Sequence, residues 1–260
     1  MLGGRPWSRV AREIVRPRNY LALARLLRVS PDCLEVGRRY FLGGGDYSYA
    51  PRVRTPLGIV RPTLFSHHDV WTLVEVFCRE DYRAPASIEV VVDVGSNIGI
   101  SALYFLTRNG HCRCHLFEPD PRNTARLEAN LAAFAPRWRL REVAVGPDEG
   151  EADFGREPTG RYGAIDAESD DVIRVDCADI NDVLADVLAA EGEIDVLKID
   201  TEGLEEATVA AIRPEILESI RTIYFESPRP VRLHGDRFAF AFANETVRLQ
   251  RRGEQRLTAP

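Results

Sequence analysis

The chain has 260 residues, 45% of them apolar and 28% charged, and a formal net charge of −6. That length suits one large domain, or one domain with an N-terminal extension. The acidic balance gives no general case for nucleic-acid binding, and no apolar run reaches membrane-spanning length. Five cysteines in no framework spacing, with no secretory signal ahead of them, point to a reduced, cytoplasmic setting.

Residues 1–30 carry seven arginines against one acid, Glu13, so the remainder is more acidic than the total suggests. Apolar spacing predicts helix over 7–29, divided at Pro17. Ser30-Pro31-Asp32 starts a second helix to about Leu42, which Gly43-Gly44-Gly45 ends. Strands are expected at 52–55 and 58–64 around a Thr55-Pro56-Leu57-Gly58 turn. Asp69 is expected to cap a helix from Val70 to about Cys78, and 79–86 to connect. The main domain then alternates: strand 89–93, helix 98–108, strand 112–118, helix 121–133, strand 138–145. Residues 151–178 break the pattern and read as an antiparallel excursion around Gly160–Gly163. A helix at 179–190, strand 194–199, helix 203–212 and strand 220–226 follow, with two more strands at 237–242 and 245–250. This order predicts an α/β fold, doubly wound on a mostly parallel seven-stranded sheet. The expected division is a helical and hairpin extension over 1–86 and a sheet domain over 87–260.

The most informative stretch is Asp93-Val-Gly95-Ser96-Asn97-Ile-Gly99, followed nineteen residues after Gly99 by Glu118. A glycine turn after one strand and an acid closing the next is the layout of a nucleoside-binding βαβ unit, in which the distal carboxylate accepts from ribose hydroxyls. A dinucleotide site wants Gly-x-Gly-x-x-Gly, with backbone amides close to a pyrophosphate. Here the spacing is Gly-x-x-x-Gly, and Asp93 would repel a pyrophosphate. It suits a ligand with an ammonium and a sulfonium, which S-adenosylmethionine carries. Ser96 and Asn97 can bond its amino-acid part, and the following helix start favours a carboxylate. Taken alone, the loop also reads as a plain strand-to-helix turn; Glu118 is a separate requirement that favours the ligand reading. Asp120 reads as the cap of the helix at Pro121.

The second signal is Asp195-Val-Leu-Lys198-Ile-Asp200-Thr-Glu202-Gly203-Leu-Glu205. Lys198 is the single lysine against 33 arginines, as if a compact point donor were needed where a planar fork does not fit. A strand delivers Lys198 and Asp200 to one face. Capping explains Glu205 well and Glu202 in part, but not a lysine among Val, Leu and Ile. A buried lysine needs a partner, and Asp200 is the nearest candidate.

Val91–Gly99, Phe117–Pro119, Ala144-Val145-Gly146 and Asp195–Glu205 together resemble the FkbM family of S-adenosylmethionine-dependent methyltransferases, over roughly residues 88–226. The resemblance implies a class I methyltransferase (Rossmann-like) fold. It also implies methylation of hydroxyl groups on polyketides, sugars or glycolipids, leaving S-adenosylhomocysteine. Gly95, Asn97 and Glu118 are implied as cofactor contacts, and no catalytic base is fixed. With Asp93, Ser96, Gly99, Pro119, Ala144 and Asp200 they make the expected cofactor rim. Asp200 is the first choice for base or acceptor orienter. Lys198 would then position Asp200 or stabilise developing charge. A nicotinamide oxidoreductase and a non-catalytic cofactor-binding partner protein are the alternatives.

Other residues weigh less. His68, in His67-His68-Asp69, could be a general base, although a cap with exposed histidines is the plainer reading. Tyr47, Tyr49, His67, Tyr162 and Glu202 are candidate substrate contacts. His111-Cys112-Arg-Cys114-His115 does not suit one metal ion, because the pairs face opposite sides of a strand. A divalent ion on Asp200 and Glu202 is a minority reading, and no metal site is predicted. The arginine-rich N-terminal region is read as packing on the core or as a homodimer contact, with an anionic carrier or membrane surface as the alternative and nucleic acid the least favoured.

Overall fold

The computed structural model describes residues 17–156, 163–165 and 169–253. Two compact units divide the chain, Met1–Arg83 and Ala84–Pro260.

The first unit starts with α1 (Pro17–Val29) and α2 (Cys33–Leu42), which stops at Gly43 in the left-handed conformation. A two-stranded hairpin, β1 (Val53–Thr55) and β2 (Gly58–Val60), follows. The next helix, α3 (His67–Val74), begins three residues earlier than expected. Its cap is Ser66, whose hydroxyl accepts from the Asp69 N–H, while the Asp69 carboxylate accepts from the Ser66 N–H. Asp69 is therefore the third residue of a capping box, not the cap. α3 continues as one π-turn, Glu75–Arg79.

The second unit is built on β3 (Val90–Val94), β4 (Arg113–Phe117), β5 (Trp138–Arg141), β10 (Ile194–Ile199), β11 (Ile220–Glu226), β12 (Phe238–Ala243) and β13 (Thr246–Arg251). These form one seven-stranded sheet in the order β12-β13-β11-β10-β3-β4-β5. All neighbours are parallel except those of β13, which runs antiparallel to both β11 and β12. Every residue of β3 is buried, which explains its consecutive valines, Val90–Val92: a strand covered on both faces has no polar side to alternate with. Helices α4 (Ile100–Leu106), α5 (Pro121–Leu131), α6 (Ile180–Glu191), α7 (Glu205–Ala211) and α8 (Pro214–Leu217) complete the unit. A continuous core joins Val92, Leu197, Ile199, Ile223 and Phe225 from the sheet to Val183, Leu184 and Val209 from the helices.

The strand expected over 138–145 is two strands. β5 ends at Arg141, and β6 (Ala144–Gly146) belongs to another sheet, with β7 (Gly150–Arg156), β8 (Ala164–Ile165) and β9 (Asp171–Asp179) in the order β6-β9-β7-β8. The break is a tight turn in which the Val143 N–H donates to the Arg141 carbonyl at 3.0 Å. The antiparallel excursion is therefore present, but longer than expected and anchored by a parallel β6–β9 pair.

Candidate active site

The C-terminal ends of β3, β4 and β10 share one edge of the sheet, the edge at which doubly wound folds place ligands. The register sets Lys198 of β10 directly beside Asp93 of β3. The Lys198 ammonium lies 3.0 Å from Asp93 and 3.4 Å from Asp200, and donates to the Gly95 carbonyl at 3.1 Å. Lys198 is 2% exposed and Asp93 wholly enclosed, whereas Asp200 keeps 27% exposure. Burial works against the charge on Lys198, but Asp93 and Asp200 outweigh it and hold the ammonium above its ordinary pKa.

Two expectations are corrected by these contacts. The principal partner of Lys198 is Asp93, from a strand about a hundred residues away, with Asp200 second. Asp93 is also shut off from any direct ligand contact: Ser101 Oγ donates to it at 2.5 Å and Lys198 covers its other oxygen. Sequence reasoning missed Ser101, although its place in the first turn of the helix after the glycine loop is where a partner for Asp93 would sit.

The glycine loop is held by its own packing. Gly95 has φ +75°, and a Cβ there would fall 1.8 Å from the Asp200 carbonyl oxygen. Only glycine lets the loop after β3 lie against the end of β10. Gly99, at φ +85°, caps the start of α4, and a Cβ there would come within 3.1 Å of Leu127 and 3.3 Å of Leu131. Ser96 is buried; its hydroxyl donates to the Asp93 carbonyl at 2.6 Å and accepts from the Phe117 N–H at 3.2 Å. Asn97 takes a left-handed backbone, φ 48°, and its N–H donates to Glu118 at 2.9 Å.

Glu118 closes β4 as expected, but it is enclosed, at 4% exposure. Its two oxygens accept from the N–H groups of Asn97 and Asp120 and from the Asn123 amide. Burial pushes the carboxyl up to about 7, against the pull of those donors. Half-buried Pro119 follows, and Asp120 caps α5 by accepting from the Arg122 N–H.

On the far side of Asp200, Glu205 accepts from the N–H groups of Thr201 and Gly203 and so ties down the turn 201–203. Glu202, at φ 57°, is exposed on that turn. Glu226, missed by sequence reasoning, ends β11 beside Asp200, since Ile199 pairs with Phe225 one step earlier. It closes the fifth parallel strand as Asp200 closes the fourth, which is the signal that could have found it.

The remaining expectations fall elsewhere. Ala144 is not on an open rim: it is buried at the start of β6, in a small core with Phe154 and Val175. Tyr47, Tyr49, His67 and His68 belong to the first unit. There the Arg39 guanidinium lies over the Tyr49 ring at 4.1 Å, and the two imidazoles pack edge-on to Trp71. Tyr162 lies outside the described residues. Cys112 and Cys114 are buried, and His115 pairs with Glu191 at 3.0 Å. Among the described residues no three His, Cys, Asp or Glu side chains gather as a metal site, and no helix is long and apolar enough to cross a membrane.

Seven strands in this order, with a single antiparallel strand set between the last two parallel ones and a glycine loop after the first, define a class I methyltransferase architecture. More particularly, the chain belongs to the FkbM methyltransferase family, whose domain matches residues 93–248. It is 29% identical over 214 residues to the 2-O-methyltransferase NoeI of Sinorhizobium fredii, covering 74% of this chain and 82% of NoeI. It is 31% identical over 189 residues to the AMB antimetabolite synthetase AmbE of Pseudomonas aeruginosa, covering 55% of this chain but only 9% of that much longer protein. Among solved structures, TrmK of M. capricolum, in complex with S-adenosylhomocysteine, superposes with a TM-score of 0.35 at 10% identity, covering 70% of this chain and 68% of TrmK. A methyltransferase from Geobacter sulfurreducens gives 0.35 at 14% identity, covering 64% and 72%.

Proposed function

We propose that the protein transfers the methyl group of S-adenosylmethionine to a hydroxyl oxygen of a sugar, polyketide or other secondary metabolite. The observation that carries the proposal is Asp200: a part-exposed carboxylate at the C-terminal end of β10, with its backbone against Gly95 of the glycine loop. The likeness to NoeI, a 2-O-methyltransferase, supports an alcohol as acceptor.

The residues suit the cofactor in two respects. Glu118 ends β4 next to the Asn97 backbone, where ribose hydroxyls could donate to it. A carboxylate has about four acceptor sites, three of them already used here, so a two-hydroxyl grip requires one N–H donor to give way. The group Asp93, Lys198 and Asp200 is net anionic, as a sulfonium and an ammonium require. When bound, the cofactor supplies an electrophilic methyl carbon. The protein's part is to aim the acceptor oxygen at that carbon and to receive its proton, a role we assign to Asp200.

The test is a methyl-transfer assay with labelled S-adenosylmethionine on an extract rich in glycosylated metabolites, followed by mass spectrometry of the products. Label on oxygen supports the proposal. Label on nitrogen or carbon alone overturns the acceptor assignment. A melting temperature raised by NAD and not by S-adenosylhomocysteine overturns the cofactor assignment.

A further inference from the structure

Four carboxylates, Asp93, Glu118, Asp200 and Glu226, and one lysine lie along this edge of the sheet, and the lysine has no route to a substrate. Lys198 is enclosed, and its ammonium faces protein groups: it lies within ion-pair distance of Asp93 and Asp200 and donates to the Gly95 carbonyl. The last of these is a neutral partner that a simple ion pair would not need, and it belongs to the glycine loop. One ammonium thus grips the loop after β3 and the acid that ends β10. The same two segments also meet through their backbones, with the Asp200 N–H donating to the Val94 carbonyl at 3.1 Å.

We infer that Lys198 is a positioning residue that sets the glycine loop and Asp200 in one fixed arrangement. It holds the loop competent to bind cofactor and keeps Asp200 turned to the open side, without touching either reactant. Composition supports this independently. In a chain that otherwise relies on arginine for its permanent cations, the one lysine stands where three acceptors converge on a single point. A planar guanidinium presents a fork and cannot converge in that way. An ammonium placed only to balance a buried acid would be satisfied by Asp93 alone.

The inference rests on the cofactor reading above, and the experiment separates the two. Lys198→Met alone leaves Asp93 buried without a counter-ion and should lower the melting temperature. The informative variant combines Asp93→Asn with Lys198→Met. It removes both charges of the enclosed pair and leaves an amide oxygen in place of the carboxylate to accept from Ser101. S-adenosylhomocysteine is titrated calorimetrically into native and double-variant protein, and exchange of the Gly95–Gly99 amides is followed in both. With the melting temperature recovered toward native, affinity should still fall about tenfold, the effect of one charge-assisted hydrogen bond, and the loop amides should exchange faster. A double variant that binds and protects the loop like the native protein makes Lys198 a structural counter-ion and overturns the inference. One that stays unfolded overturns it as well, because neutralising the pair then fails to relieve the single variant. Native protein that fails to bind S-adenosylhomocysteine overturns the cofactor reading itself, and the inference with it.

Discussion

Glu118 offers the sharpest test of how the site is built. Its carboxyl is buried and pushed up to about 7 from an ordinary 4.5. Folding therefore takes up a proton between those values. The stability that this proton contributes is complete below about pH 4.5 and is lost as pH rises through about 7. The gap is worth about 3 kcal/mol between acid and alkaline limits. Glu118→Gln removes the titration while keeping the shape. It should carry a constant cost, because an amide NH2 cannot accept from the N–H groups that surround the carboxylate. Against that offset, the variant should gain on the native protein by about 2.5 kcal/mol as pH goes from about 5 to about 8. Urea denaturation of both proteins at half-unit pH steps measures the difference. A difference that stays flat across the window would refute the burial argument, and Glu118 would then be an ordinary solvated carboxylate. The same group makes a binding prediction. If ribose hydroxyls donate to the ionised form, S-adenosylhomocysteine binding near pH 7 should release a proton, seen as a dependence of binding enthalpy on buffer ionisation.

Three further outcomes are expected. Gly95→Ala drives a Cβ into the Asp200 carbonyl at a left-handed φ; it should cost more than about 3 kcal/mol in denaturation, and a loss under about 1 kcal/mol would show that the loop yields easily. Asp200→Asn should lower turnover by about a hundredfold or more, in line with general acid–base contributions, and by far more than it weakens S-adenosylhomocysteine binding; unchanged turnover removes Asp200 from the chemistry. Glu205→Ala releases the Thr201 and Gly203 amides and should cost about 1–2 kcal/mol, with faster exchange confined to the turn after β10; protection unaltered there would mean that the turn is held by other contacts.

Much of this fold was legible in local pattern. Apolar strand ends closed by acids marked β3, β4 and β10, and the cap at Asp120 and the glycine stop at Gly43 fell where side-chain chemistry put them. The site was legible in its residue types but not in its partnerships. Asp93 as a ligand contact and Asp200 as the chief partner of Lys198 were natural readings along one strand. The pairing of β10 with β3 is a long-range register that no local spacing encodes, and it gives Lys198 to Asp93 instead. β6 shows a different limit. Trp138 to Val145 reads as one strand, but a turn at Val143 sends Ala144 to another sheet, and its fate depends on Cys177, a residue it meets only after folding. At α3 the miss was a choice between two good caps three residues apart, decided by Ser66 and Asp69 bonding each other.

The place of β13 has a consequence for the chain as it is made. Residues 246–251 slot between β11 and β12, so β11 is paired on only one side while the first 245 residues leave the ribosome. During that interval its outer edge, an Ile-Arg-Thr-Ile-Tyr-Phe-Glu segment with five buried positions in the finished fold, is an open template for another strand. The nascent protein is thus most prone to misassociate just before synthesis of β13. A stop placed after β12 should yield aggregate, whereas one placed beyond Arg251 should yield soluble chain.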